Sequence, residues 1–362
     1  MNDYAAAPAA TTQDVLDDLR RRLLAYRPVP LPGGWGWQRG VDPEYLADLV
    51  RYWAHSYDWR AHEDRIRRLP WVLTPSTRSI HQRSERAGAT AVVLLHGWPD
   101  SVLRFERVLP LLTDYHVIVP SLPGFPFATP VAGQGMSAGD MADTVAETMA
   151  ALAYDRYVLS AGDVGCDVAE ALAARHPDRV AALHLTDVSQ HHFLADLPAD
   201  LSPAEHAYVQ RGHDWQAREG GYMHEQSTKP HTLAAALGDS PAGLAAWVVE
   251  KLQGWTDSND DVETVFTRDD VLTWVTAYWV TGAIGTSFTP YASPSAKPAR
   301  VTPPAVFTIF PHDLVNAPRE FAERFFDVRV WREESHGGHF AAWEQPDRYA
   351  AGVHDAARLA AT

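Results

Sequence analysis

Apolar positions along the chain follow two rhythms, and the change from one to the other comes near residue 89. In the first part, VLDDLRRRLLAY from Val15 places Val15, Leu19, Leu23 and Leu24 at helical spacing. The segment PVPLPGGWG (28–36) has three prolines and three glycines, which break helix and strand alike. A second helix is predicted over 43–55, with Tyr45, Leu46, Leu49, Val50 and Trp53 on one stripe and Asp42 as its N-cap. The stretch YWAHSYDWRAHEDRIRRLPW (52–71) is dense in aromatics. Each large ring buries ~150–250 Å², so this leader is expected to pack onto a larger core. Residues 1–12 are small and polar and are expected to fray.

From Ala89 short apolar runs alternate with helical patterns. AVVLLHGWP (91–99) and HVIVPSLPGF (116–125) read as buried strands of a parallel sheet. A helix through MADTVAETMAAL follows, capped by Ser137 with Asp140 at its third position. Then come the strand RYVLSAGD (156–163), the helix CDVAEALAARH (166–176) and the strand ALHLTD (182–187). That alternation means a mainly parallel sheet with helices on both faces, an α/β core. The rhythm stops after Ser189 and resumes at AVFTIF (305–310), a helix near 318–326, the strand VRVW (328–331) and a last helix. Between them lie aromatic-rich helices and loops, read as an inserted cap. The expected organisation is a leader over 1–88, core over 89–189, helical cap over 190–300 and core again over 301–362.

Composition narrows the function. The 362 residues carry 31 Lys+Arg against 46 Asp+Glu, a formal charge of −15. So acidic a surface repels phosphate backbones and anionic membranes, which argues against nucleic acid as a partner. The single cysteine, Cys166, excludes an internal disulfide framework and any multi-cysteine metal site. The N-terminus has no basic start followed by an apolar stretch, and no apolar run approaches the ~20 residues of a membrane helix. A cytoplasmic protein without a membrane anchor is the expectation.

The chemistry centres on Ala161-Gly162-Asp163-Val164-Gly165, between an apolar strand and a helix. Small residues flanking a central side chain permit a sharp strand-to-helix turn that lifts that side chain clear of the sheet. Here the central residue is aspartate, where serine is usual, which removes the serine hydrolases. Chain order in such sites runs nucleophile, acid, histidine. Asp313 follows the strand AVFTIF, and His339 lies in HGGHFAAWEQP. Both fall where open α/β sheets place their sites. An acid–histidine pair there can activate water, the acid fixing the tautomer and stabilising the imidazolium. Asp187, after ALHLTD, is the second candidate for the acid. His336 and His339 have no third ligand of a usual metal pattern beside them, so neither metal nor cofactor is expected. The turn His96–Pro99 can aim a backbone N–H at an anionic intermediate, together with the N–H of Val164.

These residues, with YDWRAHEDRI (57–66), HGWPDS (96–101), GYMHEQSTKPHTLAAALGDSPAGLAAWVVEK (221–251) and GGHFAAWEQP (337–346), resemble the microsomal-type epoxide hydrolases of the α/β-hydrolase superfamily. The resemblance spans Asp14 to about Thr362. It implies an α/β-hydrolase core wrapped by an N-terminal meander and covered by a cap. It also implies a covalent ester on Asp163, opened from an epoxide with a proton from two cap tyrosines. Tyr222 and Tyr291 match those positions, with Tyr278 in reserve. The Trp98 and Val164 amides would hold the oxyanion, and His339 with Asp313 would hydrolyse the ester. Residue 164 departs from the family, which commonly has Trp there. Its amide survives, but the pocket beside Asp163 should be wider.

Two other readings compete. A haloalkane dehalogenase shares the Asp–acid–His logic but needs an indole donor beside the nucleophile, which Val164 does not supply. A catalytically silent scaffold that binds a ligand is under no demand to keep five chemical groups together. The expected partner is a small apolar or aryl epoxide. Trp215, Trp247, Trp255, Trp274 and Trp279 suggest an aromatic-lined pocket. The sequence also leaves room for a homodimer.

Overall fold

The computed structural model describes residues 6–130, 135–195, 197–293 and 300–361. Residues 1–5 of the start expected to fray, Asp196 and residues 294–299 of the cap reading, and Thr362 lie outside them. One eight-stranded sheet organises the chain: β1 Trp71–Leu73, β2 Arg78–Gln82, β3 Ala91–Leu95, β4 His116–Pro120, β5 Tyr157–Ala161, β6 Val180–Leu185, β7 Pro304–Ile309 and β8 Asp327–Glu333. Their order is β1-β2-β4-β3-β5-β6-β7-β8. β1 and β2 run antiparallel, as do β2 and β4; every other neighbouring pair is parallel. β3, β5 and β6 are buried at every position, as strands covered on both faces must be.

The first two strands correct the expected leader boundary. Residues 71–82 carry little apolar alternation, and Arg78, Ser79, His81 and Gln82 hide the strand signal. Pairing with β4 nonetheless makes them part of the core sheet. The leader proper is three helices, Gln13–Leu24, Pro43–His55 and Trp59–Arg67. Asp42 caps the second, accepting from the Glu44 and Tyr45 amides at 2.8 and 3.2 Å. The leader's aromatics are spent on packing: Trp53 and Trp59 are buried, Tyr52 donates to Asp269, and Tyr57 shares a hydrogen bond with Thr273. Both partners belong to the cap helix Arg268–Thr281, so the leader straps the cap from outside.

The helix Ala138–Ala151 carries the capping box predicted from Ser137 and Asp140. The helix Pro346–Ala360 packs on β5, β6 and β7. Its Tyr349 hydroxyl meets Ser160 Oγ at 2.7 Å; Ser160 Oγ in turn meets His184 Nδ1 at 2.8 Å, and His184 Nε2 meets Thr308 Oγ1 at 3.1 Å. This buried chain ties three strands to the helix, and burial drives His184 down to about 3, so it stays neutral. Between β6 and β7 stand the cap helices, chief among them Pro203–Glu219, Gly221–Thr228, Pro230–Asp239, Pro241–Trp255 and Arg268–Thr281. Among the described residues no single helix is long and apolar enough to cross a membrane.

Candidate active site

The loops after β3, β5, β6, β7 and β8 converge at the carboxyl edge of the sheet, and each carries one functional group. After β5, Asp163 takes φ 56° and ψ −134°, a left-handed conformation that costs a non-glycine residue ~1–3 kcal/mol. The helix Val164–Arg175 starts immediately behind it, two residues earlier than the apolar pattern indicated. Close packing enforces the turn. A Cβ on Gly165 would lie 2.4 Å from Leu95 O, and one on Gly97 would lie 2.3 Å from Asp163 Oδ1. Only glycine lets the oxyanion loop approach the carboxylate so nearly.

That approach is productive. The Trp98 N–H donates to Asp163 Oδ1 at 2.8 Å. Val164 opens its helix, where amides have no intrahelical acceptor. On the other side, His339 Nε2 lies 3.4 Å from Asp163 Oδ2, while its Nδ1 bonds to Asp313 Oδ1 at 2.8 Å. The three side chains are 10%, 2% and 5% exposed in the order Asp163, His339, Asp313. Burial opposes a charge on His339, but Asp313 and then Asp163 hold the imidazolium, pushing it up to about 10. Asp313 is likewise resisted by burial, yet His339 and the Leu314 amide leave it below its ordinary value. Of the two candidate acids, Asp313 is the one bonded to the histidine. Asp187, the second candidate, bonds instead to the Asp163 N–H at 3.1 Å.

Tyr222 and Tyr291 line the same cavity as Asp163, Asp313 and His339, a space of about 270 Å³. Tyr222 stacks on Trp98 with centroids 5.3 Å apart and ring planes 9° from parallel, and its edge meets Tyr291. Burial, then the Asp163 charge, lifts both phenols well above their ordinary value. Tyr278 does something else, donating to Asp100 O at 2.9 Å. The aromatic lining comes from Tyr222 and Tyr291 and not from the tryptophans. Among the described residues no tryptophan lines the cavity; Trp255 stands behind it, packing edge-on to His339 and Tyr222. Trp274 stands further back, in a cluster with Phe266, Phe340 and Trp343 that reaches Trp255 and His339 through Phe340. The cavity wall is Val164, Asp167 and Ala171 from one face of a helix, with Ala138, Met223 and Leu314 around it.

Two supports escaped the sequence reading. Arg104, fully buried, donates to Asp100 Oδ2 at 2.6 Å and to the His339 carbonyl at 2.6 Å, while Asp100 Oδ1 accepts the Gly97 N–H at 2.9 Å. One ion pair thus braces the oxyanion turn against the histidine loop. Its sequence signal is an Asp–Arg pair four apart just after HGWP. Glu344 accepts the amides of Asp257, Gly338 and Phe340 at 2.8–2.9 Å, and the His339 amide bonds to Trp255 O at 2.9 Å. The end of the cap helix therefore positions the histidine.

Comparison with known proteins agrees with this geometry. Residues 6–105 match the family model for the epoxide hydrolase N terminus, and 90–236 match the alpha/beta hydrolase fold. A putative epoxide hydrolase of Stigmatella aurantiaca is 36% identical, over 94% of this chain and 82% of that protein. Epoxide hydrolase 1 of Sus scrofa is 28% identical, over 93% and 85%. The solved epoxide hydrolase of Aspergillus niger superposes with a TM-score of 0.85 at 26% identity, covering 98% of both chains. Juvenile hormone epoxide hydrolase of the silkworm Bombyx mori gives 0.87 at 25%, covering 98% of this chain and 93% of that one. With its aspartate elbow, histidine–acid pair and paired phenols under a helical cap, the chain belongs to the epoxide hydrolases of the α/β-hydrolase fold.

Proposed function

We propose that the protein hydrolyses a small epoxide to a vicinal diol through an ester on Asp163. One observation carries the reading. Asp163 Oδ1 already occupies the Trp98 donor while Oδ2 is free of a backbone donor beside the cavity, so attack through Oδ2 leaves the ester carbonyl in place. A carboxylate needs no base to attack a strained ring carbon. As the C–O bond breaks, the developing alkoxide takes a proton from Tyr222 or Tyr291, which their surroundings keep protonated. His339 Nε2 then removes a proton from water, whose oxygen attacks Asp163 Cγ. The tetrahedral oxyanion at Oδ1 meets the Trp98 and Val164 amides. Collapse expels the diol with Oδ2, protonated by the imidazolium. The new carboxyl returns its proton to the tyrosinate, and the enzyme keeps the water oxygen.

The cavity size and its mixed wall suit a compact apolar or aryl epoxide. The test is a single turnover of styrene oxide in ¹⁸O-water, followed by intact-protein mass. Wild type should gain ¹⁸O in its own carboxylate over repeated turnovers, and His339→Gln should accumulate an adduct on Asp163. Diol formed without label in the enzyme would mean that water opens the ring directly.

A further inference from the structure

Beyond the Asp163 and Asp313 that the reaction uses, the cavity is lined by two more carboxyls, Asp167 and Asp187. Asp163, Asp187 and Asp313 all face it, and the imidazole of His339 pairs with the first and third. Asp187 Oδ1 instead accepts two donors, the Asp163 N–H at 3.1 Å and the Cys166 thiol at 2.9 Å. Cys166 lies on the first turn of the nucleophile helix, so a single oxygen grips the elbow on both sides of its bend.

The grip falls where the backbone is least able to hold itself. Asp163 sits at positive φ. The carbonyls around it are tied within the turn, Gly162 O by the Gly165 N–H and Asp163 O by the Cys166 N–H. The Asp163 N–H points the other way, to Asp187. Together the Trp98 amide on Oδ1 and Asp187 on the backbone nitrogen determine where Oδ2 projects. We propose that Asp187 is a positioning residue for the nucleophile: its Oδ1, shared by the Asp163 amide and the Cys166 thiol, holds the elbow so that Asp163 presents Oδ2 to the substrate. This rests on Asp163 being the nucleophile.

The groups facing Asp187 give the support a charge response. Burial, then repulsion by Asp313 and Asp163, raises its carboxyl to about 7, against Cys166 and His339, which favour the charge. Tyr208 of the cap is near enough to feel it. Burial and then Asp187 itself lift Cys166 well above its ordinary value, so the thiol remains a donor. Ring opening moves negative charge off Asp163 and away from Asp187, so an ionised Asp187 favours that step. Ester formation should therefore accelerate with pH as Asp187 ionises, at about 7 with His339 in place and higher where the His339 charge is removed.

The experiment measures ester formation from styrene oxide in the His339→Gln parent by quenched flow and intact mass, between pH 5.5 and 8.5. Asp187→Ala should slow the step about tenfold, because the elbow amide loses its partner. Asp187→Asn keeps an acceptor oxygen and should restore most of the low-pH rate, without the rise with pH that the parent shows. Cys166→Ala should shift that rise upward, since the thiol favours the ionised carboxyl. Loss of rate in the alanine variant without rescue by asparagine, or a pH profile in Asp187→Asn that superimposes on the parent, overturns the inference. So does an Asp187→Ala variant that reacts at the parent's rate. A parent that forms no ester defeats the nucleophile assignment itself, which the ester-forming parent keeps separate from the fate of Asp187.

Discussion

Asp163 Oδ2 lies 3.4 Å from His339 Nε2, so in the proposed mechanism the nucleophile rests against the base that later acts on its ester. The contact has a consequence for the order of steps. While Asp163 is a carboxylate it helps hold His339 protonated, up to about 10, and a protonated imidazole cannot take a proton from water. Esterification removes that charge. The imidazole then keeps only Asp313 as an anionic partner and gives up its proton at lower pH, when a base is needed. The nucleophile gates the base.

Asp163→Asn imitates the loss of charge. Its imidazole should titrate below the about 10 of the wild type, read from the His339 ring nitrogens by ¹⁵N NMR. The sign is fixed: removing an anion that favours the cation lowers the pKa. Hydrolysis of the ester should correspondingly become faster with pH through that lower value and then level off. An Asp163→Asn imidazole that still titrates near 10 would mean Asp313 alone holds the proton, and the gate would not exist.

The phenols make a second prediction. Tyr222 and Tyr291 share one cavity with Asp163, and both are kept protonated first by burial and then by its charge. Either can serve the alkoxide when the other is gone. Single Phe substitutions should slow ring opening ~10-fold, and the double substitution ~10²–10⁴-fold, the range for general acid assistance. Ester hydrolysis in pre-steady-state traces should change much less. A double variant that opens the ring at the wild-type rate would remove both phenols from the chemistry.

Arg104 is expected to matter for stability as much as for activity. Its side chain is 1% exposed and that of Asp100 is fully buried, at 2.6 Å. Arg104→Met would strand a buried carboxylate, at a cost of about 3–5 kcal/mol. It would also free the His339 carbonyl from its anchor. Denaturant unfolding measures the first effect. The double variant Arg104→Met/Asp100→Asn should recover a substantial part of the lost stability, because no unpaired charge remains. No recovery would mean the pair's burial is not what the arginine sustains.

Legibility in the sequence followed a physical line. The central strands could be read because burial on both faces demands unbroken apolar runs such as AVVLL at β3. Asp163 and His339 could be read because a strand-to-helix turn and a glycine-rich loop leave local marks. β1 and β2 could not: β2 carries Arg78 and Gln82 at its two half-buried ends, and its pairing with β1 and β4 supplies what composition lacks. Arg104 and Glu344 act through backbone groups far along the chain, and a carbonyl partner leaves no trace in sequence. The tryptophans misled for a related reason, since indoles that support a wall from behind look the same in sequence as indoles that line it.

Val164 is where this chain's selectivity should be adjustable. It lines the cavity next to Asp163, on the helix face it shares with Asp167 and Ala171, and its small side chain leaves room there. Val164→Trp keeps the backbone N–H that the proposed mechanism assigns to the oxyanion while filling that room. Turnover of a bulky aryl epoxide such as stilbene oxide should fall ~10–200-fold in kcat/KM, the range for a steric change in an apolar pocket. Propylene oxide should be affected within about threefold, because it needs neither the space nor the wall. Diol formation from the two substrates, measured side by side, gives the ratio. If both fall together, the indole has disturbed the elbow or its amide, and the width of the cavity beside residue 164 is not what admits the larger substrate.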